Sequence, residues 1–376
     1  MIENLFWFFT FTLIYIFIGY PLILKCIASL KTFRPAYRNN YTPTISIILS
    51  VYNEEQVIVE KVNNFLSLDY PHESIEMIII SDKCTDKTEE LIRLFNCRRI
   101  KLLVQDRRSG KTPAINRGVS VATGDVLVFT DANSIFMKDA LKILVRHFDD
   151  PKVGLVSGRS IYLDSRNRKE EISSLYRKYE ESIKKAESRV SSIVGADGAI
   201  YALRRELYEP LNPRYINDFI HPIQVVLKGY KAINDTKAIC SEVIDEQADK
   251  DELRRQTRIM AQSWLIYFSQ IGQLIRKMKW TYFWELTSHK FLRWIALPVM
   301  FILFIFTIML FKQGALFQVA FFLQIIFLCS IIFGRRRKAK WLQFSYFFFL
   351  IHFAALLGLY NFLSGNIYVT WNPRNN

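Results

Sequence analysis

The 376-residue chain lacks the cysteine pattern of a stapled or metal-built protein. Its five cysteines, Cys26, Cys84, Cys97, Cys240 and Cys329, are odd in number, scattered and never arranged as CxxC. A disulfide framework or cysteine-held zinc is thereby disfavoured, and a reducing compartment fits better. A phosphate-binding P-loop is also missing. The segment RRSGKT ends as such a loop does, but GxxxxGK[ST] needs a glycine at the position held by Gln105. The chain has no recognition-helix stripe and no repeated aromatic platform, so its net charge of +15 does not read as nucleic-acid binding. Lysine and arginine instead gather where a chain meets anionic headgroups. The first apolar stretch has no basic residue before it and no small-residue cleavage site after it, unlike a signal peptide. Mid-membrane polar interruptions of the transporter kind are not evident either.

Long apolar runs, by contrast, are plentiful. A span needs roughly 20 mostly apolar residues, and residues 5–24, 291–311, 316–333 and 341–363 meet or nearly meet that length. Only Glu3 precedes the first run, whereas Lys25, Lys31, Arg34 and Arg38 follow it. The positive-inside rule then puts the N-terminus outside and the following residues in the cytoplasm. Arg335, Arg336, Arg337, Lys338 and Lys340 join the third and fourth runs, and counting spans also makes that junction cytoplasmic. His352 falls mid-span, where a neutral imidazole bonded to a neighbouring helix is expected. In residues 259–275, Trp264, Leu265, Tyr267, Phe268 and Ile271 alternate with polar residues at helical spacing. This helix could lie in the membrane interface or cover the soluble domain. The expected division is an anchor and linker at 1–40, a catalytic domain at 41–255, interface helices at 256–290 and three spans at 291–376.

The middle of the chain alternates strand and helix. ISIILSV (45–51) is a short β-branched run of the kind buried in parallel sheets. Helical spacing follows over 56–68, then strand over 76–81, helix over 85–95, strand over 101–105, helix over 111–122 and strand over 125–130. Such alternation predicts an α/β domain with a largely parallel sheet and helices on both faces. Ligands bind at the carboxyl ends of those strands. The residues there are Tyr52-Asn53-Glu54-Glu55, Asp82-Lys83-Cys84-Thr85-Asp86 and Asp131-Ala132-Asn133. One such acid is an ordinary helix cap, a role open to Thr85 or Asp86; acids after three strands of one sheet mark an active-site edge.

These segments resemble the family 2 glycosyltransferases, the GT-A (Rossmann-like) group that includes cellulose, chitin and hyaluronan synthases and many bacterial polysaccharide enzymes. SIILSVYNEE is similar to the family's first strand and nucleotide-binding turn, which implies donor contacts at Val51, Asn53 and Glu54. SDKCTDKT resembles its second-strand motif, with Asp82 toward the nucleotide base. RRSGKTPAINRG resembles the basic loop near the donor, with Lys111 toward a diphosphate. FTDANS stands where the family carries DxD, implying Asp131 and Asn133 as ligands of Mg²⁺ or Mn²⁺. VGADGAIYALRREL resembles the acceptor segment, with Asp197 and Gly198 at the acceptor and Gly195 and Gly198 permitting close approach. Asn217-Asp218 matches the ED/DD motif, making Asp218 the general base, although an N-cap role is the plainer alternative. RRQTRI falls where processive synthases have QxxRW. Arg258 matches the arginine; Arg255 replaces the glutamine and Ile259 the tryptophan. Arg255 and Arg258 remain available to the donor diphosphate.

The resemblance implies an inverting transfer from a nucleotide-diphosphate sugar, most commonly a UDP-sugar, to a lipid-linked or polysaccharide acceptor at the cytoplasmic membrane face. A separate exporter would then be a partner, beside membrane lipid. The alternative is a catalytically inactive glycosyltransferase-like subunit of an assembly complex.

Overall fold

The computed structural model describes residues 1–31, 33, 41–164, 175–244, 249–334 and 340–370. Arg34, Arg38 and the 335–338 basic cluster lie outside the described residues. At the N-terminus, α1 (Ile2–Ile14), a π-helical turn (Tyr15–Gly19) and α2 (Tyr20–Leu30) form one apolar helix, Ile2–Leu30.

The α/β domain begins at β1 (Ile45–Val51), whose side chains feed two cores. Ile45, Ile47, Leu49 and Val51 enter the core beneath α3 (Ile58–Leu66), and Ile48 enters the one on the other face. Burial on both sides is why this strand is an unbroken apolar run rather than an alternating one. The chain continues through β2 (Ile75–Ser81), α4 (Thr88–Arg93), β3 (Ile100–Val104), α5 (Lys111–Ser120), β4 (Val126–Thr130), β5 (Ser134–Phe136) and α6 (Ala140–Val145). It then forms β6 (Val153–Asp164), α7 (Leu175–Val190), β7 (Tyr201–Arg204), α8 (Asn217–Leu227) and β8 (Lys231–Ile244). Helices α3, α4 and α6 cover one face, and α5 and α8 the other.

The sheet order is β3-β2-β1-β4-β7-β6-β8-β5. The pairs β3–β2, β2–β1, β1–β4 and β6–β8 are parallel, while β7 runs antiparallel to both β4 and β6, and β5 to β8. The expected mostly parallel sheet is therefore present, with β7 inserted against the grain between two parallel blocks. From β1 the chain winds outward to β2 and β3, then returns to place β4 on the other side of β1. That reversal opens a crevice at the carboxyl ends of β1 and β4, where such sheets hold ligands.

After the sheet come α9 (Asp249–Arg276), α10 (Trp280–Leu286), a π-helical turn (Thr287–Phe291), α11 (Leu292–Trp294), α12 (Ala296–Leu310), α13 (Ala315–Gly334) and α14 (Lys340–Leu363). Among the described residues, four helices are long and apolar enough to cross a membrane: Ile2–Leu30, Ala296–Gln313, Ala315–Gly334 and Phe344–Leu363. The expected boundary between residues 255 and 256 falls inside α9. Its apolar face is covered by protein: Trp264 is buried and donates from Nε1 to Ala355 O of α14 at 3.0 Å. The helices cross closely at Gly358, where an added Cβ would lie 2.6 Å from Met260 Cβ. His352 differs from expectation as well. Its Nδ1 donates to Phe348 O, one turn back on its own helix, at 2.7 Å, and its ring packs on Phe348.

A buried polar cluster fastens the membrane helices to the domain. His289 sets Nδ1 2.6 Å from Glu187 Oε1 and Nε2 2.9 Å from Glu180 Oε2, both on α7. Tyr20 of the first span donates to Glu187 at 3.0 Å, and Arg293 pairs with Glu180.

Candidate active site

Two loops at the crevice are stitched together by their own side chains. Asn53 and Lys83 both adopt left-handed backbone, with φ of 52° and 65°. Such conformations persist where the surroundings enforce them. Asn53 Oδ1 accepts from Thr85 N at 2.8 Å, and its Nδ2 donates to Thr85 Oγ1 at 3.0 Å. Glu54 N donates to Thr88 Oγ1 and Glu55 N to Asp86 Oδ2. Asp86 also accepts from Thr88 N at 3.0 Å, a local turn bond, while the N-cap of α4 is Lys87, with no side-chain capping bond. Burial, reinforced by Asp131 and then Asp86, pushes the Glu54 carboxyl up to about 7.

Val51 and Asp82 have structural positions. Val51 is fully buried and its carbonyl accepts from Asp82 N at 2.9 Å. The Asp82 carboxylate is also fully buried: Oδ1 accepts from Ser109 N at 2.7 Å and Gln105 Nε2 at 3.1 Å, and Oδ2 from Gly110 N at 2.9 Å. Through these bonds the acid anchors the 105–110 loop. That loop ends at Gly110, whose φ of 97° turns the chain into α5 and delivers Lys111 to the crevice.

Lys111 Nζ meets Asp131 Oδ1 at 2.5 Å. Burial would lower the Lys111 ammonium, but Asp131 and then Asp218 outweigh it and hold it above its ordinary value. Arg258 of α9 feels both Asp218 and Asp131, although burial and neighbouring Arg255 push its guanidinium down. Lys111, Asp131, Asp218 and Arg258 thus share one electrostatic neighbourhood. Arg255 points elsewhere: it forms a two-pronged ion pair with Glu252, one turn back, at 2.8 and 3.0 Å.

Asp218 sits in the first turn of α8 and makes no capping bond; Ile216 occupies the N-cap. Burial raises its carboxyl, Lys111 opposes that, and Asp131 and Asp197 add to it. Gly198 serves this residue directly, since a Cβ there would lie 2.7 Å from Asp218 Oδ2. Gly195 has ordinary room for a Cβ, with Lys290 the nearest neighbour at 3.8 Å. Asp197 holds the turn in shape: Oδ2 accepts from Ser160 N and Oγ at 2.8 Å each, and Oδ1 from Ala199 N at 3.1 Å. It also borders a cavity of about 130 Å³ whose walls include Ser160, Glu180, Lys184 and Asn234.

Several site residues escaped sequence reasoning. Arg108 stacks its guanidinium 3.7 Å from the Tyr52 ring centre, beside the first loop. Behind Asp218, Asn217 Nδ2 donates to Tyr201 OH at 2.5 Å, and Tyr201 OH meets His221 Nδ1 at 2.9 Å. Burial drops the His221 imidazole to about 3, so it is neutral. The C-terminal segment also reaches the site. After α14, Tyr368 O accepts from Gln262 Nε2 at 3.2 Å, and Val369 O would lie 2.7 Å from a Cβ on Gly110.

The residues after β4 offer a cation one carboxylate, Asp131, and one amide, Asn133. Among the described residues no cluster of three His, Cys, Asp or Glu could hold a metal by itself. This oxygen set fits Mg²⁺ or Mn²⁺ in the mode where substrate phosphates and water complete the shell.

Residues 46–210 match the family model described as glycosyl transferase family 2. A poly-beta-1,6-N-acetyl-D-glucosamine synthase of Staphylococcus aureus is 34% identical over 163 residues, 40% of this chain and 39% of that protein. A probable glycosyltransferase of Bacillus subtilis is 30% identical over 133 residues, 33% of this chain and 32% of its own. The chain thus spans about two fifths or less of the curated relatives it matches. A mannosyltransferase of Pyrobaculum calidifontis, solved with GDP-Man and Mn²⁺, superimposes with a TM-score of 0.71 at 21% identity, covering 96% of this chain and 99% of that one. The fold is the same.

Proposed function

We propose that this chain, whose residues 46–210 are a family 2 glycosyl transferase domain on a GT-A fold, transfers a sugar with inversion from a nucleotide-diphosphate donor to a lipid-linked or polysaccharide acceptor. The observation that carries the reading is the convergence of Lys111, Asp131, Arg258 and Asp218 on one crevice at the switch point of the sheet. Asp218 takes the proton of the acceptor hydroxyl, and that oxygen attacks the anomeric carbon from the face opposite the phosphate. The bond from the anomeric carbon to the phosphate oxygen breaks, and its electron pair leaves with the nucleoside diphosphate. Lys111 and Arg258 neutralise the departing charge through charge-assisted hydrogen bonds. A divalent cation held by Asp131 and Asn133 would add Lewis-acid stabilisation of the same oxygens. A raised Asp218 suits its task, because a stronger base accepts the proton more readily.

Asn53, Glu54 and Asp82 support the donor site from below, as the frame that places the two loops and Lys111. Arg255 contributes through Arg258, not by direct contact. Asp197 and Gly198 shape the acceptor side. Lys25 in the last turns of the first apolar helix and Lys31 just after it support a domain on the cytoplasmic face and an N-terminus outside. Because Tyr368 and Val369 come back to Gln262 and Gly110, only two of the three C-terminal apolar helices cross, α12 and α13, while α14 lies along α9. The product named for the Staphylococcus aureus relative makes UDP-N-acetylglucosamine the first donor to try, within a wider hexosyl and N-acetylhexosaminyl panel.

The test is release of nucleoside diphosphate by the detergent-purified chain from that panel with Mg²⁺ or Mn²⁺. One donor should be turned over, with loss in Asp131→Ala. Asp218→Asn should keep donor binding and lose about 10²–10⁴-fold in turnover. Donor binding absent across the panel would favour the inactive-subunit alternative.

A further inference from the structure

One buried lysine takes no part in the chemistry above. Lys61 on α3 is 1% exposed, a rare situation for an ammonium group, which stays in water unless it is paired. Its Nζ donates to Thr130 Oγ1 at 2.8 Å and to Ser134 O at 2.5 Å, and lies 4.4 Å from the centre of the Phe136 ring. Thr130 immediately precedes Asp131, and Ser134 immediately follows Asn133, so Lys61 clamps the turn at both ends. Burial lowers the Lys61 ammonium to about 8, opposed by Cys240, by Asp131 and by Glu242, which itself accepts from Ser134 Oγ at 2.5 Å. Asp131 therefore faces two ammonium groups: Lys61 from behind the turn and Lys111 across the crevice at 2.5 Å. The third position of the turn, Asn133, brings no charge.

We propose that Lys61 is a positioning residue that makes the cation site conditional on the nucleotide, so that a divalent cation binds with the diphosphate and not before it. The inference rests on the transferase reading above. Without nucleotide, the single carboxylate of the turn is already compensated, and an arriving dication meets two positive neighbours. Moving one charge by a few ångströms at an effective dielectric of ~20 changes an affinity by about tenfold or more. A diphosphate alters this balance in two ways. Its oxygens draw Lys111 away from Asp131, and they supply the hard ligands that the turn lacks. Lys61 stays in place, because its hydrogen bonds to Thr130 and Ser134 keep it under the turn.

The test is uptake of Mn²⁺ by the detergent-purified full chain, read from the paramagnetic resonance of the free ion. Titrations are run with Mn²⁺ alone, with UDP and with GDP, and calorimetry measures nucleotide binding separately. Wild type should bind Mn²⁺ at least tenfold more tightly with a nucleotide than without. Lys61→Met and Lys61→Gln should each bind Mn²⁺ alone at least tenfold more tightly than wild type. Asn133→Asp, which leaves the buried lysine untouched, should do the same and carries the test if the core variants fail to fold. Equal Mn²⁺ affinity with and without bound nucleotide in wild type overturns the proposal. So does a folded variant of this set whose affinity for Mn²⁺ alone is unchanged. If neither nucleotide binds at any Mn²⁺ concentration, the transferase reading itself falls, a result distinct from nucleotide binding that leaves Mn²⁺ affinity unmoved.

Discussion

Asp218 and Gly198 form the tightest functional pair at the scale of single residues. A methyl group at 198 would sit 2.7 Å from the carboxylate oxygen, so Gly198→Ala must turn Asp218 aside. A misplacement of about 1 Å costs on the order of 10²-fold in rate. The expected result is a fall in kcat of that order, little change in donor KM and near-normal thermal unfolding. The acid limb of the pH profile follows from the same residue. Asp218 acts as a base only when ionised, and burial raises its carboxyl. Turnover should therefore fall, as pH drops, at a higher pH than an ordinary aspartate would give, and Asp218→Asn should erase that limb. Asp131, Lys111 and Asp218 were legible in the sequence because each follows a strand or opens a helix within a known pattern. Lys61 was missed although it left a signal: with Ile58, Val62 and Phe65 it occupies the i, i+3, i+4, i+7 face of α3, where a lysine is out of place. Asp82 shows the opposite failure. Its motif was plain, but only the backbone of residues 109 and 110 reveals what the carboxylate holds.

Among elements, the strands from β1 to β4 were readable because full burial makes them short, apolar and punctuated by loops. Strands β5 to β8 were not. β6 and β8 run 12 and 14 residues with mixed polarity, and pairing across long sequence separations decides their register. Helix α7 illustrates how a polar-looking segment can be structural. Its Glu180 and Glu187 flank His289, and although burial pushes the Glu180 carboxyl up, His289 and Arg293 override it and hold it well below the usual range. A depressed acid stabilises the fold above its unfolded pKa and loses that contribution as pH falls through its folded one. His289→Ala removes one partner from two buried carboxylates, a change that costs on the order of 3–5 kcal/mol. Thermal unfolding in detergent should show a clear drop in Tm at neutral pH, with the gap to wild type narrowing in acid; an unchanged Tm would mean that water or Arg293 alone satisfies both acids.

For the whole molecule, the apolar runs were legible from length alone, and the four helices fall where expected within a few residues. Orientation is a matter of charge. Impermeant maleimide added to intact cells should label a cysteine introduced at Lys312, between the second and third apolar helices, and should spare one at Lys31, just after the first. The reverse pattern would invert the proposed topology and place the crevice outside. How α9 sits was not legible, because an amphipathic pattern does not say whether lipid or protein covers its apolar face. Here Trp264 and Gly358 fix it against α14, the last apolar helix, which joins the arginine beside the crevice mechanically to the membrane.

The last apolar helix does not carry the chain to the far side of the membrane. Its continuation returns to Gln262 and Gly110, so Val369 lies beside the loop that presents Lys111. A purification tag or fluorescent protein inserted after Thr370 would thus be joined directly to a segment seated at the crevice, whereas one joined before Met1 would sit at the far end of the first span. The choice of attachment point in building the expressed protein is, for this chain, a choice about whether the handle stands in the doorway.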